Sequence, residues 1–237
     1  MRKAARMPRG TIALLVVVLV GAMAAGAPSQ PSGTDQAIVH VLVWRPGSFY
    51  RRGTAFHIGN GVFYTAASAV TYRVPDGFTT WYLAGTTATR STDSWLGPLS
   101  VTCIHPQYRV PDINNPLFSP FDVAQLRVGA AEYLPALQFA PALPYPGMRV
   151  RVKGYPDASR EWPPSLYTAE GRVVSVNAPT QTFRVDIETG LYRGWGGAPV
   201  LAPDNAVLGV FYAWELDRVE RIIAATAQVA RSGCPLP

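Results

Sequence analysis

Two cysteines and three histidines are the first residues of this chain whose types invite chemistry. Cys103 and Cys234 leave two readings open: one disulfide, or two separate thiols. In an exported chain the even count favours the bridge. It would pin the C-terminus to the first half of the chain. His40, His57 and His105 lie far apart, and neither they nor the cysteines have the spacing of a zinc site, so no metal is expected. No cofactor is expected either. Nucleic acid is excluded as a partner, because the basic residues are scattered arginines without clusters or aromatic interleaving. The formal charge of +6 also overstates the case. Arg2, Lys3, Arg6 and Arg9 lie in the leader, which has no acids; subtracting these four leaves about +2 for the rest.

Those basic residues begin an export signal. An apolar run from Thr11 to Val20 follows them, and then small residues, so 1–27 reads as a signal peptide. Pro28 disfavours cleavage after Ala27, which leaves Ala22-Met23-Ala24 as the better site. The alternative is an uncleaved N-terminal anchor, although the run falls just short of the ~20 residues of a spanning helix. Residues 28–36 read as a polar linker. The roughly 200 residues beyond can bury their own core without metals.

Positioning elements are legible as short β-type runs between turns. They fall at 37–44, 53–67, 81–85, 99–104 and 122–128, and the second is folded by the hairpin signal Gly59-Asn60-Gly61. A Pro- and Ala-rich connector, about 131–147, has no strand. Further strands fall at 148–155, 165–176, 182–188, 198–201 and 206–213, with Met148, Val150 and Val152 on one face. Over 215–231, the spacing of Leu216, Val219, Ile222, Ile223, Thr226 and Ala227 predicts an amphipathic helix. The order implies an all-β architecture of two lobes, 37–130 and 148–213, with a C-terminal helix.

Three segments in this order resemble the trypsin-like serine protease superfamily, most closely its secreted bacterial, glutamyl-endopeptidase-like branch. They are Gly53-Thr54-Ala55-Phe56 through Thr65-Ala66-Ala67-Ser68; Cys103-Ile104-His105-Pro106-Gln107-Tyr108 with Phe121-Asp122-Val123-Ala124; and Gly194-Trp195-Gly196-Gly197-Ala198-Pro199. The resemblance spans nearly all of 37–231. It implies two six-stranded antiparallel barrels of chymotrypsin-like fold, with a cleft between them and a C-terminal helix.

The resemblance also implies a broken triad. The chemistry needs a hydroxyl nucleophile, an imidazole base and an orienting carboxylate. Asp122 matches the carboxylate. Ser68 stands where the histidine belongs, and a hydroxyl does not take up a proton near neutral pH. Gly196 stands where the nucleophilic serine belongs. No neighbouring register supplies a serine there, and each of the three histidines reads as a core or surface residue.

Three expectations concern what remains. Ser68 should hydrogen-bond Asp122, since an unpaired buried carboxylate is costly. Gly194 and Gly196 retain backbone N–H groups of the oxyanion type, although a tight turn alone explains these glycines. Trp195 is a candidate for lining the cleft, against a bland reading of core packing. The expected function is that of an exported pseudoprotease, a binding or scaffolding domain for an unidentified protein or peptide. The alternatives are an active hydrolase with unusual residues and a structural surface domain held by the N-terminal segment. On the first reading, Ser68→His with Gly196→Ser should create peptidase activity.

Overall fold

Gly59-Asn60-Gly61 reverses the chain as its residue types require. Asn60 and Gly61 take φ of 52° and 69° in the computed structural model, the left-handed pair of a tight hairpin. A side chain at Gly61 would overlap the Val128 carbonyl. β2 (Ser48–Gly59) and β3 (Val62–Thr65) pair across this turn, with Phe56 opposite Tyr64. The structure describes residues 33–45, 48–71, 80–84, 95–110, 119–155, 165–188, 195–215 and 218–236. The chain divides into units 1–30 and 31–237, and every described element lies in the second. The expected leader, 1–27, is outside the described residues.

The first lobe is a seven-stranded antiparallel sheet. It adds β1 (Ile38–Arg45), β4 (Thr80–Ala84), β5 (Trp95–Pro98), β6 (Ser100–Ile104) and β7 (Ala124–Arg127), in the order β5-β4-β1-β2-β3-β7-β6. The second lobe closes into a six-stranded barrel of order β10-β13-β12-β11-β8-β9. Its strands are β8 (Arg149–Gly154), β9 (Tyr167–Asn177), β10 (Thr182–Ile187), β11 (Pro199–Leu201), β12 (Val207–Glu215) and β13 (Arg218–Thr226). The alternation along β8 is as its sequence implies: Val150 and Val152 enter the core, and Met148 packs beside them. The fold class is therefore all-β, with a short C-terminal helix.

That helix is much shorter than its periodicity suggests. Of the segment expected as a helix over 215–231, Glu215 ends β12, Arg218–Thr226 is strand β13, and only α3 (Ala227–Gly233) is helical. Closing the barrel decides this. β13 fills the gap between β10 and β12, pairing Ile222 with Val185 and Trp214. Ile222, Ala224 and Ala225 are all fully buried, so burial on both faces hides the alternation of a strand. Thr226, assigned by its spacing to the helix's apolar face, is instead the N-cap, accepting from the Val229 N–H at 3.4 Å.

The linker also changes. Its last four residues, Gly33–Gln36, form one helical turn (α1), pinned to β8 where Lys153 Nζ meets Asp35 Oδ1 at 2.5 Å. The connector has no strand but bonds both lobes. Leu137 N–H donates to His57 O at 2.9 Å, and Ala140 N–H to Val207 O at 2.8 Å. Cys103 and Cys234 form a disulfide, with their α-carbons 5.7 Å apart. No helix among the described residues is long and apolar enough to cross a membrane.

Candidate functional site

β3 delivers the chain to a short helix, α2 (Ala67–Thr71), whose second residue is Ser68. Asp122 arrives from the other direction, in the turn that leads into β7, with its N–H bonded to Ser119 O at 3.1 Å. The two meet through both the backbone and the hydroxyl of Ser68, each of which acts on the Asp122 carboxylate. The Ser68 backbone N–H donates to Asp122 Oδ1 at 2.7 Å. Oδ2 is buried and makes no hydrogen bond with any described residue. Asp122 is 0 % exposed. Burial pushes its pKa up to about 6; the Ser68 backbone, the Ser68 hydroxyl and the Ala67 backbone each pull it back down. The hydroxyl is thus near enough to act on the carboxylate without satisfying Oδ2.

The third position sits on a turn from the second barrel. Ala198 N–H closes it on Trp195 O at 2.8 Å, and Gly197 N–H anchors it to Phe211 O in β12 at 2.7 Å. The Thr54 N–H of β2 donates to Gly196 O at 2.9 Å, stitching the turn to the first lobe. This close approach explains two glycines. A side chain at Gly197, where φ is 90°, would overlap Thr54 O and Thr65 Oγ1; one at Gly53 would press on Gly196 O. Gly196 differs, since a β-carbon there would have nothing within 4 Å. Its N–H makes no hydrogen bond to another described residue. Gly194, the other expected backbone donor, lies outside the described residues.

Trp195 is not a cleft residue. It is 1 % exposed and packs into the barrel core against Gly154, where a β-carbon would stand 3.1 Å from the indole. The histidines are engaged elsewhere. His57 Nε2 accepts from the Gly61 N–H at 3.1 Å, and Nδ1 donates to Pro135 O at 3.0 Å. His105 accepts from the Gln107 N–H at 3.1 Å, stacks on Phe121, and has its pKa lowered by burial. His40 stacks on Tyr155 with ring centres 5.0 Å apart. None of them features among the groups that shift Asp122.

Two tyrosines, Tyr108 of the second motif and Tyr212 outside every motif, are acted on by Asp122. Burial raises the pKa of both Tyr108 and Tyr212, and the Asp122 charge adds to the rise. The Tyr108 hydroxyl is paired with Thr71 Oγ1 at 3.1 Å. Tyr212 reaches across from β12, and nothing in its strand-like sequence distinguishes it from its neighbours. A cavity of about 320 Å³, lined by Arg149, Arg151, Glu170 and Glu188 among others, lies on the second barrel and touches neither Ser68, Asp122 nor Gly196.

No family model and no curated protein sequence matches this chain. Solved structures do. The active form of the Rv3671c protease from M. tuberculosis is 20 % identical, with 84 % of this chain and 80 % of that one covered and a TM-score of 0.58. Its inactive form is 18 % identical, with 85 % and 89 % covered and a TM-score of 0.61. The serine endoprotease from Yersinia pestis is 13 % identical, covering 87 % of this chain and 65 % of that one, with a TM-score of 0.59. At these identities the likeness establishes the fold: this chain has the chymotrypsin-like fold of those serine proteases.

Proposed function

We propose that this chain is an exported serine-protease-like protein that does not cleave peptides and works as a binding or scaffolding domain for a protein or peptide. One observation carries the reading. The turn that would present a nucleophile is stitched into both lobes, yet its central residue, Gly196, has no side chain. The position across from it supports the same reading. Ser68 gives Asp122 a backbone N–H and no base. Losing nucleophile or base costs about 10⁶ in turnover in a well-studied protease, which leaves at most roughly 10³–10⁴ over water. The leader 1–27, basic then apolar then small, and the Cys103–Cys234 disulfide favour an oxidising compartment outside the cytoplasm.

The test uses purified protein with casein, a panel of peptide esters and a serine-reactive fluorophosphonate. The expected result is no turnover above buffer and no label on the protein. Turnover that disappears in Asp122→Ala would overturn the reading and return Asp122 to a catalytic role.

A further inference from the structure

We propose that Tyr212, thrown out of its ladder by a β-bulge, closes the seam over Asp122, so that no side chain at position 68 can reach the free carboxylate oxygen while Tyr212 is in place. The proposal rests on the reading above and adds a third barrier to the two substitutions. The bulge is explicit in the register. Phe211 lies opposite Ala224 and Ala213 opposite Ile223, leaving Tyr212 with no cross-strand partner. An extra residue of this kind bends its strand and re-aims a side chain, commonly beside a functional site. Here the re-aimed residue carries a large ring. Tyr212 is 8 % exposed and shares a packed cluster with Ala66, Ala69 and Val123, the residues that flank Ser68 and Asp122.

The cover on Asp122 is otherwise incomplete. From the first lobe, the Ser68 and Ala67 backbone groups approach the carboxylate, and the Ser68 bond goes to Oδ1. Oδ2 is nonetheless shut off from solvent and has no hydrogen-bond partner among the described residues. Of the two tyrosines under the influence of Asp122, Tyr108 is tied to Thr71, which leaves Tyr212 as the group available to shield Oδ2 from the second barrel. Burial and the Asp122 charge push the phenol pKa up, so Tyr212 stays neutral beside the carboxylate. The Arg184 guanidinium, which also acts on Tyr212, is occupied by Glu215 at 2.7 Å.

The consequence separates the two substituted positions. A serine at 196 meets open space and needs no rearrangement. A histidine at 68 must bond Asp122 through one ring nitrogen before the other can serve as a base, and the oxygen it needs is covered. Ser68→His with Gly196→Ser is therefore insufficient, and Tyr212→Ser must accompany it.

The test compares the double variant with the triple variant by proton NMR of ¹⁵N-histidine-labelled protein. The expected result is a solvent-protected imidazole N–H at position 68, bonded to a carboxylate, in the triple variant only. Fluorophosphonate labelling of the triple variant should be at least roughly 10²-fold faster, the lower end of what a positioned base supplies. A protected N–H already present in the double variant overturns the proposal, as does its absence from a folded triple variant. Single variants guard against a folding failure. Carboxyl ¹³C titration of Tyr212→Ser should move the Asp122 pKa down toward the ordinary range, and Tyr212→Phe should leave it raised. Equal values in the two variants also overturn it. None of these outcomes depends on whether the natural protein cleaves peptides, so this proposal and the inactivity reading can fail separately.

Discussion

Asp122 holds a charge at neutral pH in a place that disfavours one. Its folded pKa of about 6 lies above the ordinary 3.8, so the native state binds a proton more tightly than the unfolded chain does. The stability this gives is fully present below about pH 4 and is lost as pH rises through about 6. The shift corresponds to about 3 kcal/mol at most. Asp122→Asn keeps an acceptor for the Ser68 N–H and removes the charge. Urea unfolding between pH 4 and 7 should show the variant flat where the natural protein falls, and more stable than it at pH 7. A variant less stable at pH 7 would mean that the carboxylate is stabilised by a group the structure does not place beside it. At this scale the sequence says much. That Gly196 has no nucleophile and Ser68 no imidazole follows from residue identity alone. That Asp122 is buried with one oxygen lacking a partner among the described residues does not, because burial is set by segments far apart in the chain.

The elements were legible where local rules suffice. Gly59-Asn60-Gly61 forced its hairpin through φ values that few other residues adopt, and the alternation in β8 fixed its inward face. Residues 218–226 escaped those rules. Their apolar spacing fits a helix, but a strand buried on both faces presents the same continuous run. The helix that does form starts one residue after Thr226. Thr226→Ala should cost about 1 kcal/mol, the usual value of an N-cap. By hydrogen exchange, the amides of the first turn of α3, Val229 foremost, should lose protection while those of β13 keep theirs. Loss of protection spreading equally into β13 would argue for one cooperative helical segment instead. Tyr212 belongs to the same class of surprise, since a bulge arises from how two strands pair and leaves no mark on either one.

Across the whole molecule, the two lobes are joined at several independent places. Tyr155 donates its N–H to Thr54 Oγ1 at 3.0 Å and its hydroxyl to Ile38 O at 3.1 Å. Lys153 holds Asp35. Beyond the barrel, the C-terminal tail is tied back to the first lobe. Gln125 Nε2 donates to Pro235 O at 3.1 Å, Tyr64 hydroxyl donates to Cys234 O, and the disulfide spans a separation of 131 residues. Replacing Cys103 and Cys234 by serine should lower stability by about 2–4 kcal/mol, mostly by freeing the unfolded chain. The lobes should stay joined, because the other links remain. Denaturant unfolding should show one transition at lower midpoint, and two separated transitions would mean that the disulfide alone couples the lobes. The sequence by itself determined the β-rich lobes, the principal hairpin, the residue types at the proposed triad positions and the candidate cysteine pair. Each of those depends on residue identity or on neighbours close in the chain. Tertiary structure alone decided that 218–226 closes a barrel, that Trp195 turns inward, and that Tyr212 is bulged out of its ladder. Those outcomes are set by long-range strand pairing and by burial, which compare segments that the chain keeps far apart.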